Sequence, residues 1–161
     1  MSVGSRPPRR YRRRLSPRRI AVRGSGIHGK GVFALVRLAR GTRIIEYKGR
    51  RISNETADEI YGDDEGPHTF LFLLDNDTVI DANHGGNSAR WINHSCAPNC
   101  EPVEEGDRMF IEARRHIAPG EELTYDYQLV VEGRRTRALE KQFACFCGSR
   151  KCRGHFLADE D

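Results

Sequence analysis

Three cysteines fall within eight residues near the C-terminus, Cys145-Phe146-Cys147 and then Cys152 after four residues. Two more, Cys96 and Cys100, stand far upstream in the run Asn93-His94-Ser95-Cys96-Ala97-Pro98-Asn99-Cys100. An odd number, all beyond residue 95, does not make a disulfide framework. The N-terminus carries charge with no apolar stretch after it, so it does not read as a secretory signal, and reduced thiols are expected. Clustered thiols then point to metal. Two thiolates two residues apart and a third five later can reach one tetrahedral zinc at about 2.3 Å. The fourth ligand is open at this level: His155 lies nearby, and Cys96 or Cys100 would serve if the C-terminus folds back onto the middle of the chain. The zinc is expected to be structural, because no acid or histidine pair stands nearby to work an open coordination position.

Charge divides the rest of the chain unevenly. Residues 1–23 hold nine arginines and no acid, whereas residues 24–161 hold 18 basic and 23 acidic residues, a net −5. Residues 1–19 also contain three prolines and almost nothing apolar, so disorder is expected there. Such an arm can contact nucleic-acid phosphates, with salt-sensitive binding; otherwise it is a solvated tail or a localisation signal. The remainder has the length and composition of one globular domain. Its longest apolar runs are five residues, which excludes a membrane-spanning helix.

The elements are short. Strand spacing starts at Ile20 and recurs at residues 32–36, 44–47, 109–113 and 123–127, with a Pro119-Gly120 turn before the last. Residues 70–74 and Thr78–Asp81 flank an Asp75-Asn76-Asp77 turn, a hairpin pattern. Ser53 predicts an N-cap for a helix over Asn54–Tyr61, with Ile52 as its staple. Residues 87–92 suit one or two helical turns, and 134–143 have helical spacing. The fold class is therefore mostly β or α+β.

Three segments carry polar chemistry. Ser25-Gly26-Ile27-His28-Gly29-Lys30-Gly31-Val32-Phe33 lacks both the helix and the spacing of a dinucleotide fingerprint, and no Ser or Thr follows its Gly-Lys pair as a P-loop requires. It reads either as a mobile turn or as backbone able to approach a ligand closely. Asn93-His94 ends a short turn and offers hydrogen bonds to an amino-acid-like ligand; a turn with a satisfied histidine is the plainer reading. Tyr125 and Tyr127 share a strand face by period two. They either pack with their hydroxyls satisfied or line a narrow channel for an alkylammonium group.

Taken together, these segments resemble a SET-domain protein lysine methyltransferase with a post-SET zinc motif, of trithorax-like pattern. The resemblance rests on GIHGKGVF, EYKG, VIDANHGGNSARWINHSCAPNC, PGEELTYDY and CFCGSRKCRG, in family order over about residues 20–156. It implies an arm over 1–19, a SET domain over 20–130 and a post-SET zinc tail over 131–161. It implies small curved sheets in which residues 93–96 and the C-terminal strand form a pseudoknot. S-adenosylmethionine would be the cofactor. His28, Lys30 and Gly31 would contact its methionine part, Asn93 and His94 its amino group and adenine, and Phe146 and Gly148 would cover the adenine. Zinc would be held by Cys96, Cys145, Cys147 and Cys152, leaving Cys100 free. Tyr127 would orient the lysine amine, while Tyr125 and Phe70 would line the substrate channel and Tyr125 would limit the methyls added, giving mainly monomethyl-lysine. Phe70 and Trp91 depart from the commoner residues, tyrosine and phenylalanine.

The resemblance further implies a histone-like or other basic protein as substrate, a monomer, no membrane association and an intracellular location. That location is the cytoplasm or nucleoid in a prokaryote, or chromatin in a eukaryote. Without a cysteine-rich segment before the SET motifs, a free-standing enzyme is expected. Two other classes compete: an idle member of the family that only binds, and a small zinc protein that binds nucleic acid.

Overall fold

The structure, a computed structural model, describes residues 18–62, 70–131 and 133–159. Most of the arginine-rich arm, residues 1–17, lies outside them, so the expectation of disorder there is not addressed. Among the described residues, ten short strands carry the fold. They are β1 (Ile20–Gly24), β2 (Lys30–Ala34), β3 (Arg43–Tyr47), β4 (Arg50–Ser53), β5 (Leu71–Leu73), β6 (Thr78–Asp81), β7 (Asn93–His94), β8 (Cys100–Glu105), β9 (Arg108–Ala113) and β10 (Glu122–Tyr125). Two short helices, α1 (Asn54–Tyr61) and α2 (Arg137–Gln142), and one 3-10 turn (Ser88–Trp91) complete the set.

The strands form three small open sheets, ordered β1-β2-β10-β7, β3-β9-β8 and β4-β6-β5. This is the mostly-β architecture of small sheets that the sequence predicts. Between them lies one core, with Val32, Tyr47, Ile80, Ile92, Ile111, Ile117 and Leu123 almost fully buried. Each such side chain contributes about 1.5–3 kcal/mol when taken from water.

Local chemistry sets the elements. Ser53 caps α1 by accepting from the Thr56 N–H at 3.1 Å, worth about 1 kcal/mol. The β5–β6 hairpin closes with Asp77 at φ 61 and the Asn76 side chain accepting from the Thr78 N–H. Asp81, at the end of β6, is fully buried and ties several elements together. It accepts from Arg50 at 2.8 Å, from the Tyr61 hydroxyl at 3.0 Å and from the backbone and side chain of Asn83 at 3.0 Å, with His84 Nδ1 at 3.0 Å. Gly49 is required beside it, because a Cβ there would sit 2.5 Å from the Asp81 carbonyl oxygen.

The pairing of β10 positions the site. Its first half pairs antiparallel with β2 (Glu122↔Phe33, Leu123↔Val32), and its second half pairs parallel with β7 (Thr124↔Asn93, Tyr125↔His94). This strand thus joins the glycine-rich turn to the Asn93-His94 pair, carries Tyr125 and leads into Tyr127.

Candidate active site

Tyr125 and Tyr127 do share one side of the chain, their ring centroids 4.8 Å apart. The ladder ends at Tyr125, yet His94 extends it, since its Nδ1 accepts from the Tyr127 N–H at 3.1 Å. That bond fixes the histidine as the neutral tautomer with its proton on Nε2, which faces Cys96 Sγ at 3.3 Å. Burial of His94, only 5% exposed, pushes its pKa down to about 4. Tyr127 donates its hydroxyl to the Ile92 carbonyl at 2.7 Å. Burial raises the pKa of both tyrosines, so both hydroxyls stay protonated.

Two cavities meet at Tyr127. One, of about 460 Å³, is lined by Ile27, His28, Phe70, Asn93, His94, Tyr127, Lys141, Gln142, Ala144, Cys145, Phe146 and Phe156. The other, of about 550 Å³, runs between α1, β5 and residues 128–131, and Tyr125, Phe72 and Tyr127 form part of its wall. Phe70 lies on the first cavity, packed edge-to-face on Trp91 at 5.2 Å.

The glycine-rich segment is a defined turn rather than a loose one. The Ser25 N–H donates to the Gly29 carbonyl, and Ser25 Oγ accepts from the Ile27 and His28 N–H groups. Glu122 holds the turn from β10, accepting from Ser25 Oγ at 2.7 Å and from Asn93 Nδ2 at 2.8 Å. Asn93 Nδ2 also donates to the Lys30 carbonyl at 2.9 Å, with the His28 carbonyl at 3.2 Å. A Cβ on Gly31 would stand 2.2 Å from the Glu122 carboxylate, so the close approach that requires glycine there is to Glu122. Lys30 lies over the Trp91 ring at 4.7 Å. Of the residues that the resemblance assigns to the cofactor, His28, Asn93, His94 and Phe146 line the 460 Å³ cavity. Lys30, Gly31 and Gly148 are not on its wall.

The cysteines converge. The sulfurs of Cys96, Cys145, Cys147 and Cys152 all lie within 4.8 Å of one another, with Cys96 at 3.8 Å from Cys145 and 3.9 Å from Cys152. Four sulfurs around one zinc at 2.3 Å stand about 3.8 Å apart, so the spacing fits. Backbone N–H groups of Arg153, Cys147 and Gly154 point at Cys96, Cys145 and Cys152, at 3.3, 3.4 and 3.4 Å. Burial pushes the Cys96 and Cys145 thiols up; Cys147, also partly buried, is brought down to about 6 by hydrogen bonds. The group can therefore hold zinc. Cys100 and His155 stand outside it, and burial raises Cys100 to about 12.

Several residues of the site escape a reading of the sequence. Glu122 is one. Asp126 and Arg153 are a second case: their two-pronged pair, at 2.7 and 2.8 Å, clamps the tail onto the segment that carries the tyrosines. Burial works to raise Asp126, but Arg153 holds its carboxyl below the usual range. Tyr47 is a third, 1% exposed, edge-on to Phe72 at 5.3 Å, with its buried hydroxyl unpartnered among the described residues.

With this geometry in hand, the comparisons with known proteins are decisive. Residues 29–128 match the SET domain model. The chain is 40% identical over 153 residues to the Histone H3-lysine(4) N-trimethyltransferase ATX1 of Arabidopsis thaliana, covering 90% of this chain. It is 41% identical over 137 residues to the Histone-lysine N-methyltransferase SETD1B of Homo sapiens, covering 81% of this chain. The chain belongs to the SET-domain family. It is also 38% identical over 140 residues to the Histone-lysine N-methyltransferase trithorax of Drosophila virilis, covering 83% of this chain. The matched part is small in each relative: 14% of ATX1, 7% of SETD1B and 4% of trithorax. Within this SET domain, the glycine-rich turn, the Asn93-His94 pair and the cysteine tail all contribute to the cavity that Tyr127 lines.

Proposed function

We propose that the protein is a protein-lysine N-methyltransferase that moves a methyl group from S-adenosylmethionine to a lysine side chain of a histone or another basic protein. The observation that carries this reading is the pair of cavities that share Tyr127. The smaller has a size suited to a small-molecule ligand and mixes aromatic walls with a few polar groups; the larger opens to the surface beside α1. S-adenosylmethionine, in the smaller cavity, supplies an electrophilic methyl on a sulfonium. Ile27, His28, Asn93, His94, Phe146 and Phe156 are assigned to hold it, with Lys30, Gly31 and Gly148 supporting the turn and tail that frame it.

The residues around the larger cavity prepare the nucleophile. An ordinary lysine has a pKa near 10.4, so neutralising it at pH 7.4 costs about 4 kcal/mol. The aromatic walls of Phe72, Tyr125 and Tyr127 would desolvate the amine and favour its neutral form, as would the cofactor's positive charge. The amine's proton would pass to water at the open side of the larger cavity, so no side chain is assigned as general base. Tyr127 and Tyr125 would orient the amine nitrogen toward the smaller cavity, since the displacement needs an in-line approach of about 3–3.5 Å. Zinc on Cys96, Cys145, Cys147 and Cys152 fixes the tail that carries Phe146. A histone-like substrate places the enzyme in chromatin, or at the nucleoid of a prokaryote, acting as a monomer. The arm over 1–19 is read as a contact to nucleic acid.

Calorimetric titration of the zinc-loaded protein with S-adenosylmethionine tests the assignment. Binding is expected, and Tyr127→Phe should retain it while losing at least 100-fold in methyl transfer, about 2.7 kcal/mol. Absence of binding rejects the reading.

A further inference from the structure

Every charged residue before Glu46 is basic: residues 1–45 hold twelve arginines and one lysine, while residues 46–161 hold 14 basic and 23 acidic residues. Part of the folded basic stretch gathers at one end of the molecule, while Arg23 and Lys30 lie at the other end of the β1–β2 hairpin and Arg43 is paired with Glu105 and Glu112. The Arg19 carbonyl accepts from the Leu35 N–H at 2.8 Å, which sets Arg18 and Arg19 beside the loop that bears Arg37 and Arg40. That loop pairs with residues 113–117: Leu38 and Ile117 exchange two backbone hydrogen bonds at 2.9 Å, and the Gly41 N–H donates to the Ala113 carbonyl at 2.7 Å. Arg114 and Arg115 are thereby brought alongside. Arg18, Arg19, Arg37, Arg40, Arg114 and Arg115 are all exposed.

Among the described residues Arg115 is matched by Glu121 at 3.0 Å and Arg19 donates to the Arg43 and Ile44 carbonyls at 3.0 Å, which leaves Arg18, Arg37, Arg40 and Arg114 without an acidic partner. Leu38 and Ile117 are buried beneath the loops, so this end presents guanidinium groups without a large exposed apolar side chain from either loop. A membrane surface would want such a side chain to insert. Guanidinium forks match phosphate oxygens, and a spread of unpaired ones draws a polyanion.

We infer that this end of the domain is a binding surface for the phosphate backbone of nucleic acid. It lies away from the catalytic channel. It borders the Glu121 end of β10, whereas Tyr127 lies beyond the other end, roughly 15–20 Å away at the rise of an extended chain. The surface can therefore hold a nucleic acid while the channel takes a lysine from a protein bound to the same nucleic acid. The inference does not depend on methyl transfer, because its test reads binding alone.

The test uses the full chain and a fluorescein-labelled DNA duplex of about 20 base pairs, with anisotropy followed between about 50 and 200 mM salt. The wild type should bind and weaken steeply with salt. Arg37→Gln/Arg40→Gln/Arg114→Gln should bind at least ten-fold more weakly, with its salt slope reduced by about 2.7 for three lost phosphate contacts. Arg40→Gln alone should reduce the slope by about 0.9. Both variants should bind S-adenosylmethionine as the wild type does, which shows the fold intact. Wild-type affinity and slope in the triple variant, with binding lost only when residues 1–17 are removed, would assign the contact to the arm alone and overturn the surface. Preference for phosphatidylserine vesicles over the duplex at equal ionic strength would overturn it as well.

Discussion

Tyr125 differs from phenylalanine by one oxygen, and that oxygen is held in a crowded place. The residue is 4% exposed, with Phe72 at 6.0 Å and Tyr127 at 4.8 Å between ring centroids. A buried hydroxyl keeps a hydrogen-bonding partner, and in the proposed channel that partner is the amine or a water beside it. In that channel the retained hydroxyl and its partner would limit the number of methyl groups the amine can take. Wild-type protein should therefore yield mainly monomethyl-lysine, and Tyr125→Phe should shift the product toward di- and trimethyl-lysine. Mass spectrometry of a methylated basic peptide gives the answer, and an unchanged distribution refutes the role. The paired tyrosines were legible in the sequence, because period two along one strand needs only two residues of spacing. Tyr47 was not, because only the folded β3 brings it against Phe72.

Asp81 works at the scale of elements. Its carboxylate joins Arg50 of β4, Tyr61 at the end of α1 and the Asn83–His84 turn, so its loss leaves several donors facing a buried gap. Asp81→Ala should cost about 3 kcal/mol and lower Tm by about 6–12 °C. Burial alone would raise this carboxyl; the bonds from His84, Arg50, Asn83 and Tyr61 override it and lower its pKa to about 2. A depressed folded pKa gives stability that is present above the unfolded value near 3.8 and lost as pH falls toward 2. Thermal melts should show the gap between wild type and variant narrow below about pH 4 and go on narrowing through pH 2, with the part owed to the neutral carboxyl's hydrogen bonds remaining. The elements Asp81 joins were unequally legible. The β5–β6 hairpin and α1 announce themselves through Asn76-Asp77 and the Ser53 cap. The strands β4 and β8 do not: both are edge strands in their sheets, rich in Arg or Glu, and β8 carries Pro102, tolerated only where one side needs no ladder bond. Helix α2 begins three residues later than its spacing suggests, because Thr136 caps it by accepting from the Leu139 N–H.

The whole molecule closes through its tail. Cys96 follows β7, while Cys145, Cys147 and Cys152 follow α2, and Arg153 spans both regions by its N–H to Cys96 and its pair with Asp126. The tail supplies Ala144, Cys145, Phe146 and Phe156 to the smaller cavity, yet its described residues make only isolated bridges and add no strand to the three sheets. The cysteine spacing made the metal legible, but not the cavity it completes, because the partners that dock the tail lie 27 to 57 residues away along the chain. Sheet stability and cofactor affinity should therefore separate. Stripping zinc with a chelator, or Cys147→Ser, should leave the far-ultraviolet circular dichroism of the sheets in place while weakening S-adenosylmethionine binding at least ten-fold, about 1.4 kcal/mol. Adding zinc back should restore the affinity of the stripped wild type and not that of the variant. Unchanged affinity after stripping would mean that Asp126–Arg153 and the packing of Phe156 against Tyr127, at 5.7 Å, hold the tail without the metal.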